Sequence, residues 1–103
     1  MVLNRVARAQ AVYEALAKAP SDVAVRLLHS RLRASDRAKA EDALQPGFHG
    51  ILVATQVVEA GLDLSSRLLL TDLAPWSALV QRFGRCNRAG RYAATEAQVL
   101  WID

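Results

Sequence analysis

A single cysteine in 103 residues, Cys86, leaves no disulfide to form within the chain and suits a reducing cytoplasm. Metal-ligand spacing is missing too, because the two histidines, His29 and His49, have no partner at an interval that reads as a ligand set. The opening MVLNRVARAQ lacks the apolar run of a signal peptide, and no segment approaches the roughly 20 apolar residues of a membrane helix. The expectation is a soluble, cytoplasmic protein with no membrane partner. There is no internal repeat, low-complexity tract or linker, so the length fits one domain over residues 1–103.

Negative charge is the most telling absence. No acidic residue lies between Asp72 and Glu96, yet the stretch LVQRFGRCNRAGR at residues 79–91 sets Arg82, Arg85, Arg88 and Arg91 three residues apart. The net charge of +3 comes from 13 Lys and Arg against 10 Asp and Glu, and outside residues 81–92 the balance is 9 to 10. Positive charge is therefore local, which points to a site for an anion and away from a general nucleic-acid coat.

Aliphatic runs are short and dense: VAVRLL at 23–28, ILVA at 51–54, LLLT at 68–71 and VLWI at 99–102. Continuous apolar character of this kind suits strands covered on both faces. Helical spacing fills the intervals. Val6, Ala9, Val12 or Tyr13, and Leu16 share one side of a helix over about 4–19, with Asn4 as its N-cap and Pro20 as its stop. A second helix is expected from Ser35 to near Pro46, a short third from Gln56 to Ala60 ending at Gly61, and a fourth after Pro75 running to near Gly90. Strands alternating with helices predict an α/β fold, a parallel sheet with helices on both faces. Met1–Leu3 reads as the stub of a further strand, with 51–54 and 68–71 among the central strands and the chain as a piece of a larger protein.

On a helical wheel turning about 100° per residue, Val80, Phe83, Cys86 and Asn87 form the buried stripe of the fourth helix. Gln81, Arg85 and Arg88 fall together on the opposite face, Arg82 lies on a flank, and no arginine has an acid at helical spacing. Two guanidiniums and an amide on one face can grip a phosphate in several directions. The competing reading is an ordinary solvated helix face.

QRFGRCNR at 81–88 resembles motif VI of the superfamily 2 helicases, Gln-Arg-x-Gly-Arg-x-x-Arg. VATQVVEAGLDL at 53–64 is similar to their motif V, and LLHSRLRASDR at 27–37 to the segment after motif IV. Within that superfamily, TDLAPWSALVQRFGRCNRAG and LLHSRL look most like the helicase of type I CRISPR systems, which unwinds and degrades target DNA. The resemblance implies a RecA-like fold of the P-loop NTPase type, here the second of the two domains of a helicase motor.

It also assigns roles. Arg85 and Arg88 match the two motif VI arginines that reach the γ-phosphate as arginine fingers, and Gln81 matches the glutamine that orders the attacking water or the phosphate. Gly61 and Asp63 match the part of motif V facing the nucleotide; Asp63 acts through the ribose or a motif VI arginine, or else only caps a helix. Arg82 belongs to the same nucleotide-side group and pairs with an acid of the motor. Thr55 and Gln56, where a strand opens into a short helix, match contacts to a nucleic-acid phosphate. His29, Ser30 and Arg31 sit at the strand edge where open α/β sheets bind ligands, with Arg37 nearby, and are read either as backbone contacts or as a solvated turn. Trp76 and Trp101 are expected as core or strand aromatics.

The half that binds ATP and Mg2+ is missing from these residues. There is no Gly-x-x-x-x-Gly-Lys-Ser/Thr loop, no Asp-Glu-x-His/Asp motif and no His-Asp nuclease pair. The implied partners are a first RecA-like domain holding ATP and Mg2+, single-stranded DNA or RNA, and a CRISPR effector complex, and the chain alone is expected to be inactive. Two other readings stay open: a domain of another superfamily 2 helicase or translocase, and a truncated fragment with no enzymatic role.

Overall fold

The computed structural model describes residues 1–31, 35, 37–38, 41–45, 47–59, 64–93 and 95–102. Its elements run α1 (Val6–Lys18), β1 (Ala24–Leu28), a 3-10 turn (Glu41–Leu44), β2 (Gly50–Ala54), a second 3-10 turn (Gln56–Val58), β3 (Leu68–Asp72), α2 (Trp76–Phe83) and β4 (Gln98–Ile102). Strands β1 and β2 pair in parallel with Leu28 opposite Ala54, and β3 and β4 pair in parallel with Thr71 opposite Trp101.

The N-terminal stub joins the two pairs. Val2 bridges Ala54 on one side and Thr71 on the other, both in parallel. The Leu3 amide donates to the Ala54 carbonyl at 2.8 Å, and the Val2 amide donates to the Leu70 carbonyl at 2.7 Å. The spatial order is thus β1, β2, stub, β3, β4, and the expected parallel sheet is present with the short first strand at its centre.

Successive strand residues face opposite ways, and the two apolar clusters follow that alternation. Val2 and Ala54 belong to one cluster with Leu28, Val58 and Leu69, against which Phe83 and Cys86 pack. Leu3 and Val53 belong to the other with Ala9, against which Val12, Tyr13 and Leu16 of α1 pack. Leu3, Leu28 and Val53 are fully buried, each contributing about 1.5–3 kcal/mol of hydrophobic stabilisation. Helical segments therefore cover both faces of the sheet.

The first helix begins one residue later than the sequence suggests. Arg5 occupies the N-cap without a side-chain cap, because Asn4 is engaged elsewhere: its Nδ2 donates to the Leu73 carbonyl at 2.6 Å and its amide donates to Asp72 Oδ2 at 2.9 Å. At the other end, Ala19 is extended with ψ 141°, as the residue before a proline must be. Of the helix expected at 56–60, the described residues form only the three-residue 3-10 turn, which offers no developed helix dipole to a phosphate. No described helix is long and apolar enough to cross a membrane.

Candidate nucleotide and nucleic-acid interfaces

Helix α2 ends at Phe83, with Gly84 as its C-cap, seven residues short of the expected end near Gly90. Beyond it the chain is claimed by the sheet: Cys86 bridges Ser66 in parallel, the Ser66 amide donates to the Arg85 carbonyl at 2.8 Å, and Asn87 turns with φ 51°. Helical periodicity stops there, so the shared face of Gln81, Arg85 and Arg88 does not form. Gln81 and Arg88 are exposed, while Arg85 is buried. Of the expected buried stripe, Phe83 and Cys86 pack against the core, whereas Val80 is exposed and the deepest side chain of α2 is Arg82.

Arg82, at 1% exposure, is the largest fully buried side chain of the described residues. Its Nη1 donates to Thr71 Oγ1 at 3.0 Å and to the Asp72 carbonyl at 3.3 Å, and its Nη2 lies 3.4 Å from Glu59 Oε2. The expected acid partner is therefore Glu59, which sequence reasoning passed over because it lies 23 residues upstream. Arg85 meets the same residue by its main chain: Nε donates to the Val58 carbonyl at 2.8 Å and Nη2 to the Glu59 carbonyl at 3.3 Å. Two buried guanidiniums thus meet at Glu59, Arg82 at its carboxylate and Arg85 at its main-chain carbonyl. Asp72, the other buried acid described nearby, is occupied by Arg8 at 3.0 Å and by the Asn4 amide. The junction is left with an excess of positive charge among the described residues, which suits an anion such as a nucleotide phosphate. Gly61 and Asp63 lie outside the described residues.

The remaining candidates, Arg37 apart, gather at the carboxyl edge of the sheet. The Thr55 amide donates to the Leu28 carbonyl at 3.2 Å, tying the ends of β1 and β2 together. Gln56 Nε2 donates to the Asn4 carbonyl at 3.4 Å, and Asn4 in turn reaches Leu73. Ser30, Arg31 and Gln56 are exposed there, whereas Thr55 and His29 are buried beneath them. Arg37 pairs with Glu41 at 3.5 Å on the surface. The turn at Gln56–Val58 spans the two regions, with Thr55 and Gln56 at the sheet edge and Val58 and Glu59 under the arginines.

No group of three His, Cys, Asp or Glu placed to hold a metal occurs among the described residues. Trp76 and Trp101 are 72% and 63% exposed, contrary to the expectation of a core position for Trp76. Trp101 sits on β4, which lies at the edge of the sheet order, and Trp76 opens α2 with its ring edge-on to Phe83 at 6.3 Å.

His29 gives this edge a pH dependence. Its Nδ1 accepts the Arg31 amide at 3.0 Å, so the neutral ring carries its proton on Nε2, which is buried with no partner. Burial, and secondarily the Arg31 charge, lowers its pKa below the ordinary value. An unfolded histidine takes up a proton near pH 6.5, before the folded one does, so below that pH the unfolded state binds more protons. Stability is expected to be complete above about pH 6.5 and to fall as the pH drops from there toward the folded value. Urea unfolding at neutral and mildly acidic pH checks this, with His29→Gln removing this component of the decline.

With the geometry in view, similarity to known proteins becomes specific. Residues 1–91 match the family model described as CRISPR-associated nuclease/helicase Cas3, C-terminal. The chain is 37% identical over 86 residues to the CRISPR-associated nuclease/helicase Cas3 of Haloferax volcanii, covering 80% of this chain and 9% of that protein. Its fold matches the crystal structure of T. fusca Cas3 with a TM-score of 0.82 and 34% identity, over 97% of this chain and 14% of that one. A CRISPR RNA-guided surveillance complex, pre-nicking, contains a chain matching at a TM-score of 0.69 and 35% identity, over 97% of this chain and 14% of that one. The chain thus spans about a tenth of the length of such relatives. With the motifs in order on a parallel sheet and the family model matched over residues 1–91, the chain belongs to the CRISPR-associated nuclease/helicase Cas3 family, in its C-terminal region.

Proposed function

We propose that this chain is the second RecA-like half of an ATP-dependent, CRISPR-associated helicase, acting with a first RecA-like domain on single-stranded DNA. The observation that carries the reading is the junction of motifs V and VI, where Arg82 and Arg85 are buried around Glu59 with more positive than negative charge. T. fusca Cas3 has a structure described as Cas3-ATP, to which this fold is similar at 33% identity and a TM-score of 0.79. In the proposed motor, ATP and Mg2+ are held mainly by the first domain. Arg85 and Arg88 approach the γ-phosphate across the cleft, and Gln81 orders the attacking water. Charge developing in phosphoryl transfer is met by the guanidinium of Arg85, already oriented by the protein, and by that of Arg88. Ser30, Arg31 and Gln56 contact the strand backbone, and Thr55 and His29 shape that edge from beneath. A CRISPR effector complex is the proposed source of the target strand. The chain alone turns over no ATP, and its place of work is the cytoplasm.

Titration of a fluorescent single strand with the chain at rising salt tests the nucleic-acid half of this reading. Neutralisation of one phosphate by Arg31, the single cation among these contacts, gives a slope of log affinity against log salt of about −0.7, with little sequence preference. Arg31→Ala is expected to flatten that slope. Binding that ignores salt, or no binding at low salt, contradicts the assignment of this edge.

A further inference from the structure

Glu59 holds two arginines by different chemistry. Its carboxylate lies 3.4 Å from Arg82 Nη2, whereas Arg85 is held by main-chain carbonyls, that of Val58 at 2.8 Å and that of Glu59 itself at 3.3 Å. A carbonyl fixes the direction of a guanidinium without cancelling its charge. Arg85 is therefore aimed while remaining a full cation. The carboxylate is directed at Arg82, which also bonds Thr71 Oγ1 and the Asp72 carbonyl and so pins the end of α2 to β3. Only Phe83 and Gly84 separate Arg82 from Arg85 in the chain, and the Arg85 amide donates to the Arg82 carbonyl at 3.0 Å, a short main-chain link between the two.

From this we infer that Glu59 is a positioning residue for ATP hydrolysis: through Arg82 and its own carbonyl it sets where Arg85 meets the γ-phosphate. The inference rests on the finger reading of Arg85 given above. It concerns the orientation of Arg85 and requires no contact between Glu59 and the nucleotide. Neutralising the carboxylate keeps the carbonyl and the Arg82 Nη1 bonds in place but removes the charge that holds Arg82 Nη2, so the loss appears as a misplaced finger.

The test is a double-mutant cycle on the motor assembled from this chain and a first RecA-like domain, in the presence of single-stranded DNA. Glu59→Gln is expected to lower kcat by about 10²-fold, the scale of a misplaced catalytic group, with the KM for ATP little changed. In an Arg85→Ala background the same substitution is expected to have no further effect, since there is no finger left to aim. Equal losses from Glu59→Gln in both backgrounds indicate a merely structural role and overturn the inference. A harmless Glu59→Gln beside a severe Arg85→Ala overturns it while leaving the finger reading intact. Arg85→Ala at the parental rate overturns both. Should Glu59→Gln lower the folded fraction, hydrogen exchange of the Arg85 Nε–H in the folded Glu59→Asp chain, whose shorter carboxylate is drawn back from Arg82 while the main-chain carbonyl stays, decides instead. Exchange at Arg85 faster than in the unsubstituted chain supports the clamp, and an unchanged rate overturns it.

Discussion

Arg88→Ala in the assembled motor is expected to slow ATP hydrolysis by about 10³- to 10⁵-fold, the range measured for arginine fingers, while ATP binding changes little. The side chain is exposed and makes no hydrogen bond to another described residue, so its removal costs the fold almost nothing. In the proposed motor its interaction with the γ-phosphate belongs to the transition state, and losing such an interaction lowers kcat and kcat/KM together. Arg88→Lys recovers little, because a point charge cannot replace the planar fork. Arg85→Ala is expected to show the same kinetic loss together with some loss of stability, since its guanidinium also binds the Val58 and Glu59 carbonyls. Gln81→Ala falls between, and Arg91→Ala, exposed beyond the turn, is mild. Rapid-quench measurements with and without single-stranded DNA give these rates. Close to parental turnover by folded Arg85→Ala and Arg88→Ala proteins leaves the exposed arginines as a solvated surface only.

Arg82→Ala carries the largest expected loss of stability, about 3–5 kcal/mol, the cost of removing one partner of a buried ion pair. The guanidinium is 1% exposed and Glu59 19% in its side chain, so solvent screens the pair only weakly. Truncation leaves Thr71 Oγ1 and the Asp72 carbonyl without this donor and opens a cavity beneath α2. Total stabilities of domains this size are about 5–15 kcal/mol, so a loss on that scale removes a large share. Arg82→Met with Glu59→Gln is expected to lose less than Arg82→Ala alone, because volume is kept and no buried charge is left unpaired. Urea unfolding of the chain and its variants measures both differences. A loss below about 1 kcal/mol for Arg82→Ala, the level of exposed pairs, contradicts the buried network.

Sequence alone made the sheet readable because its information is local. The stub at Met1–Leu3 shows as a short apolar start, and the α1 stripe shows in the spacing of Ala9, Val12, Tyr13 and Leu16, which meet the core as expected. The site was less legible because it is made by long-range pairing. A helical wheel for residues 79–91 assumes that the helix continues, but pairing of Cys86 with Ser66 ends it and turns Arg85 inward. Glu59 carries no mark in its neighbourhood that predicts Arg82 as its partner, since the two meet only when the turn after β2 packs under α2. Thr55 and His29 stand at strand ends, as the sequence indicates, yet strand ends do not reveal which side chains are covered, and both are buried. Trp76 misleads in the opposite sense, because aromatic character suggested burial while its place at the start of α2 leaves it exposed.

The most direct measurement of the central claim is ATP turnover by a first RecA-like domain before and after this chain is added, with and without single-stranded DNA. The expected result is negligible hydrolysis by either part alone and a rate that rises only when both parts and the strand are present, with the rise abolished by Arg88→Ala. A rate unchanged by the chain, or raised equally by the Arg88→Ala chain, contradicts its assignment as the finger-bearing half of the motor.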